Sequence, residues 1–144
     1  MDSHLADISH VIQLAVAPVF LLTAVATLIN ALSTRLGRIV DRRRVVQQSL
    51  QGQDPEAAMA AEQEIRRLAL RSRLIYHAIF CSVLSAPLVC LVVAGAFLGA
   101  LLAVDLARTV AALFIGAMLA MIAGLSLFLR EVYLAVRTGA HNQP

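Results

Sequence analysis

Residues 33–73, STRLGRIVDRRRVVQQSLQGQDPEAAMAAEQEIRRLALRSR, hold nine of the chain's twelve arginines. There is no lysine, and long uncharged runs lie on both sides. Those runs cover residues 8–34, 74–104 and, after a short charged turn, 109–129, which is 27, 31 and 21 residues. A helix needs roughly 20 residues to cross a bilayer core. Backbone amides in lipid must pair internally, and no alternating ten-residue strand pattern occurs, so helices are the workable form. The chain therefore reads as one all-α integral membrane domain. Its transmembrane helices are expected over about residues 10–33, 76–104 and 109–129, with a cytoplasmic hairpin over about 34–73.

Arginine placement orients the chain. Residues 1–10 carry Asp2 and Asp7 and no arginine, so the first apolar run lacks the basic leader of a cleaved signal peptide. Side-chain charge is −2 before the first run, +4 across residues 33–73, zero at the Asp105/Arg108 turn and +1 in the tail. Eleven of twelve arginines thus fall on one side, which the positive-inside rule makes cytoplasmic: N-terminus outside, C-terminus inside. The overall charge of +3 follows from topology. No aromatics interleave with the basic segment, so nucleic acid is not an expected partner.

Within the arginine-rich stretch, Ile29, Leu32, Leu36, Ile39, Arg43, Val46 and Leu50 follow a 3-4-3-4 spacing. Ala58, Ala61, Ile65, Leu68, Ser72, Ile75 and Ile79 repeat it after a turn at residues 51–55. Two matching seams joined by a short turn predict an antiparallel coiled hairpin continuous with the first two membrane helices. Asp54 is the expected N-cap of the second arm, with Pro55 at the first helical position and Glu56 favouring the positive helix start. The two long helices should extend about 65 and 75 Å at 1.5 Å per residue. Pro18 and Pro87 should kink them within the membrane.

Several features are candidates for function. Thr23, Thr27, Asn30 and Thr34 form a polar stripe on helix one, opposite the Leu32/Leu36/Ile39 seam and continued by Gly37 and Asp41. The stripe reads either as interhelical contacts, with threonines bonding their own backbone, or as the lining of a conduction path. Gly95 and Gly99 form a GxxxG, and Gly116, Ala120 and Gly124 continue the fourfold spacing, as helix-packing grooves do. Arg42, Arg43, Arg44, Arg66, Arg67, Arg71 and Arg73 serve as topology signals and as contacts for anionic lipid or a cytoplasmic protein. Arg43 alone occupies a seam position, where Glu62 or Glu64 across the hairpin, or a second subunit, is its expected partner.

Other groups read more plainly. His4, Asp7 and His10 recur every three residues, but three candidates on a terminus read as a hydrated interfacial segment before a zinc site. His77, beside Tyr76, reads as an interfacial anchor. Cys81 and Cys90, nine residues apart on one helix, face opposite ways and read as small buried apolar side chains. No catalytic constellation, phosphate loop, metal-ligand cluster or cofactor motif stands out, so no enzyme activity, metal or cofactor is expected.

Five stretches carry a family resemblance: ISHVIQLAVAPVFLL (8–22), NALSTRLGRIVDR (30–42), RRLALRSRLIYHAI (66–79), CSVLSAPLVCLVVA (81–94) and LFLREVYLAVRT (127–138). Together they resemble a bacterial family of small membrane proteins classed as domain of unknown function 2721. The resemblance implies a three-helix bacterial membrane protein and carries no activity or functional residue with it. The resulting expectation is a non-enzymatic protein of the bacterial inner membrane, a self-associating scaffold or regulatory subunit. The alternative is a homo-oligomeric ion channel lined by the polar face of helix one.

Overall fold

The computed structural model describes residues 2–50 and 54–139; for residues 2–8, 11, 14, 15, 138 and 139 it describes the backbone alone. Three helices make up the described residues: α1, Asp2–Ser49; α2, Pro55–Leu102; and α3, Ala107–Gly139. All three are long and apolar enough to cross a membrane. At 48, 48 and 33 residues they measure about 72, 72 and 50 Å, well beyond a hydrocarbon core of about 30 Å. α3 runs ten residues past its apolar run, through Arg130 and Glu131 to Gly139. Pro18 and Pro87 both lie inside their helices, which continue through them; Pro18 is buried and Pro87 exposed.

Local chemistry sets the helix ends. α2 begins at Pro55, whose missing N–H costs nothing in a first turn. The Asp54 carbonyl accepts from Ala58 N–H at 3.0 Å, which puts Asp54 at the N-cap position, and Glu56 sits in the first turn. The residues 51–53 of the expected turn lie outside the described ones. At its far end α2 stops at Ala103, which takes a left-handed φ of 53°. Val104 N–H then donates back to the Gly99 carbonyl at 3.2 Å, closing a Schellman turn. Gly99 has no room for more there, since a Cβ would stand 3.3 Å from the Val104 oxygen. Asp105 Oδ1 accepts from Ala107 N–H at 3.1 Å and starts α3.

The strain at Ala103 yields a checkable outcome. A left-handed conformation costs an L-residue roughly 1–2 kcal/mol that glycine avoids. Ala103→Gly should therefore stabilise the protein by about 1 kcal/mol, read as a raised melting temperature in detergent. A lowered melting temperature rules the turn geometry out.

The chain divides into two compact units, Met1–Ile29 with Cys81–Ala123 and Asn30–Phe80 with Gly124–Pro144. In the first, Pro18 and Val25 of α1, Ser82, Ser85, Val89 and Val92 of α2, and Ala117 of α3 are buried. Ser85 Oγ donates to the Ser82 carbonyl at 2.7 Å, which satisfies a polar group in this apolar interior. Gly95 faces α3 so closely that a Cβ would lie 3.0 Å from Val110 Cγ2, whereas Gly116 has Leu88 Cδ1 at 4.0 Å. Gly95 thus provides the close approach between α2 and α3 that small residues permit in membrane helices.

In the second unit the buried residues are Leu32, Ile39 and Val46 of α1, Leu68, Ile75 and Ala78 of α2, and Gly124 and Glu131 of α3. Buried positions recur every seven residues along each helix, as in Leu32–Ile39–Val46 and Leu68–Ile75. That recurrence keeps one narrow stripe facing inward. Ile29, Leu36, Leu50, Ala58, Ala61, Ile65, Ser72 and Ile79 of the expected seams are half-buried. Arg43 departs from the seam and is exposed. Leu28, Ile29, Arg35 and Leu36 are half-buried flanks of the α1 stripe, but one heptad on both Arg42 and Arg43 emerge into the open.

Most apolar side chains point outward. Only 11% of the most apolar window of α3 is buried within the chain, and Ile115, Leu119, Ile122 and Leu129 are exposed. A lone chain in water would leave this surface wet, so its natural surroundings are lipid. Cys90, expected to be buried, is exposed among these residues, while Cys81 is half-buried; both are free thiols.

Candidate functional site

Among the described residues of the second unit, one charge is fully buried. Glu131 of α3 has no exposed surface, and both carboxylate oxygens are held by arginines from the other two helices. Arg35 of α1 donates from Nη1 to Oε2 at 3.1 Å. Arg71 of α2 donates to Oε1 from both Nε, at 3.1 Å, and Nη2, at 2.8 Å. Arg35 also stacks over Phe128, its Cζ 5.2 Å from the ring centroid, a favourable cation–π distance.

The three residues share a level set by the sequence. Arg35 is the first charge after the first apolar run, Arg71 lies three residues before the second, and Glu131 two residues after the third. Each helix thus brings a charge to the boundary where its uncharged run ends. Burying a charge is tolerable only with paired, hydrogen-bonded partners, and here three guanidinium N–H groups meet one carboxylate. Two cations and one anion leave a net +1. The side chain of Arg35 remains 41% exposed and that of Arg71 23%, so this excess is shared with the surroundings.

Chemically the cluster is a clasp. Oε1 accepts two donors and Oε2 one, and an arginine does not release its proton under protein conditions. A carboxylate committed in this way ties three helices in one register. Further along, Arg42 Nε donates to Glu64 Oε1 at 2.9 Å; the two side chains are 59% and 41% exposed, so this pair contributes at most about 1 kcal/mol. Glu64, one of the acids expected to meet Arg43, is therefore bound to Arg42 instead.

The remaining sequence candidates are dispersed. Thr23, Thr27, Asn30 and Thr34 are all exposed on α1. Thr27 and Thr34 hydroxyls donate to the carbonyls four residues back at 2.9 Å, and Thr23 does so at 3.4 Å. The Asn30 amide has no partner among the described residues. Arg43, Arg44, Arg66, Arg67 and Arg73 are exposed and carry no acidic partner among the described residues. Gly95 and Gly99 face the α3 start and its preceding turn, and Gly124 is buried. His77 Nδ1–H donates to the Arg73 carbonyl at 2.7 Å. The side chains of His4 and Asp7 lie outside the described residues, and no metal-ligand group of three occurs among the described ones.

Sequence reasoning missed the clasp because Arg130-Glu131 looks like a membrane exit. The signal lies in sevenfold spacing: Ala117, Gly124 and Glu131 form one buried stripe, whereas Gly116 and Ala120 of the fourfold pattern are half-buried beside it. Arg35 and Arg71 each stand three residues after a buried leucine, Leu32 and Leu68, which places them beside their seams.

Neither the curated proteins nor the solved structures contain a match to the chain. The family model described as protein of unknown function DUF2721 matches residues 15–140, which takes in nearly all of the three helices, and the chain belongs to that family.

Proposed function

We propose that this protein is a non-enzymatic component of the bacterial inner membrane, with its N-terminus outside and C-terminus in the cytoplasm. It self-associates through the polar face of α1, and α1 and α2 continue into the cytoplasm as an antiparallel hairpin. The hairpin serves as a scaffold or regulatory surface for other proteins. The supporting observation is Asn30: an exposed amide without a partner, inside an apolar stretch whose threonines have already used their hydroxyls on the backbone. An unsatisfied amide in an apolar medium costs roughly 2–7 kcal/mol. A second copy removes that cost, because an amide both donates and accepts and a twofold axis pairs it with itself. The committed carboxylate of Glu131 supports a structural role over a catalytic one.

Asn30→Leu tests the reading in lipid nanodiscs by single-molecule subunit counting. An interhelical amide bond is worth about 1–2 kcal/mol, so the variant should dissociate roughly 5–30 times more readily, while Asn30→Gln keeps the assembly. Wild-type assembly in Asn30→Leu removes the proposal. Planar-bilayer conductance that changes with Asn30→Leu would replace the scaffold by a channel lined by Thr23, Thr27, Asn30 and Thr34.

A further inference from the structure

The boundary level of the second unit holds a groove as well as the clasp. It has a volume of about 260 Å³ and is lined by Leu70, Arg73, Leu74 and His77 of α2 and Leu127 of α3. Its depth in the membrane follows from two helices independently. Arg73 is the last charge before the uncharged run of residues 74–104, and Leu127 lies three residues before Arg130, which ends the run of 109–129. Three leucines at that level make an apolar slot where lipid chains meet headgroups.

The charges around this slot are not equivalent. Arg71, two residues away, shares the Glu131 carboxylate with Arg35. Arg73 is exposed and has no acidic partner among the described residues. His77 directs Nδ1–H to the Arg73 carbonyl, which leaves Nε2 on the outer edge of the ring for another contact. The slot therefore combines aliphatic walls with an uncompensated cation and an imidazole one helical turn apart.

We infer that this groove binds one anionic phospholipid, an acyl chain lying against Leu70, Leu74 and Leu127, the phosphate held by Arg73 and a headgroup hydroxyl donating to His77 Nε2. The chain supplies shape and the phosphate supplies preference. An acyl chain gains little by leaving one apolar environment for another, whereas a basic residue near the surface attracts anionic lipid appreciably. The inference is independent of self-association through Asn30.

Native mass spectrometry of the full-length protein, released from micelles with phosphatidylglycerol or phosphatidylcholine of identical chains, tests it. One phosphatidylglycerol should be retained in preference to phosphatidylcholine. Arg73→Gln should reduce that preference about fivefold, and adding His77→Gln should reduce it further. Arg66→Gln, which lies off the groove, should leave it unchanged. Leu127→Trp, filling the slot, should release the lipid while circular dichroism shows the helices intact. An equal loss in Arg66→Gln and Arg73→Gln overturns the inference, because the attraction is then that of the whole basic surface. Retention in Leu127→Trp, or equal displacement by inorganic phosphate, overturns it as well.

Discussion

Replacing Glu131 with leucine is expected to lower the stability of the protein in detergent by about 3–5 kcal/mol, the cost of breaking a buried ion pair from one side. Leucine is close to glutamate in size, so the loss measures charge and not a cavity. It leaves the Arg71 guanidinium facing an apolar interior with no acceptor, while the more exposed Arg35 can turn toward water or headgroups. Adding Arg71→Leu should then recover much of the loss, and adding Arg35→Leu should recover less. The interaction energy from this double-mutant cycle separates the pair from the general effect of each substitution. Arg42→Leu, which removes only an exposed ion pair, is the control and should change stability by less than about 1 kcal/mol. If Glu131→Leu is no more harmful than Arg42→Leu, the clasp does not hold the helices together.

Ile75→Ala is expected to cost about 2–5 kcal/mol, toward the lower end of that range. Ile75 has no exposed surface and sits midway along the α2 stripe, between Leu68 and Ser82. In water much of such a loss is transfer free energy. At the membrane boundary lipid also offers an apolar medium, so the cost comes mainly from the cavity and its missing dispersion contacts. Ile115→Ala removes the same atoms from a side chain that is 59% exposed and leaves no cavity, so it should be nearly neutral. The measurement is thermal unfolding of both variants in the same micelle. Equal losses at Ile75 and Ile115 contradict the packing described here.

Much of the architecture is legible in the sequence, for physical reasons particular to membranes. Lipid leaves the backbone few options, so three apolar runs of sufficient length already mean three helices. The start of α2 was equally plain: the helix begins at Pro55, which needs no N–H partner there, with Glu56 in its first turn. Seam positions Leu32, Ile39, Val46, Leu68 and Ile75 were read correctly from their spacing, since a side chain repeating every seven residues returns to one face. The same spacing misled at Arg43, because periodicity specifies a direction around the helix axis and not whether another helix stands there.

What the sequence determined by itself is the sorting of residues between water and lipid. The arginine-rich stretch marks one boundary, and the uncharged runs mark the other two helices, because transfer costs depend on composition and length alone. Only the tertiary structure decided how the charges at that boundary are used. Arg35, Arg71 and Glu131 are separated by 36 and 60 residues, and no local rule selects Glu131 as the acid that meets both arginines. That choice depends on the register of three helices at once. Register in turn leaves Arg73, without an acidic partner among the described residues, beside a leucine-lined groove.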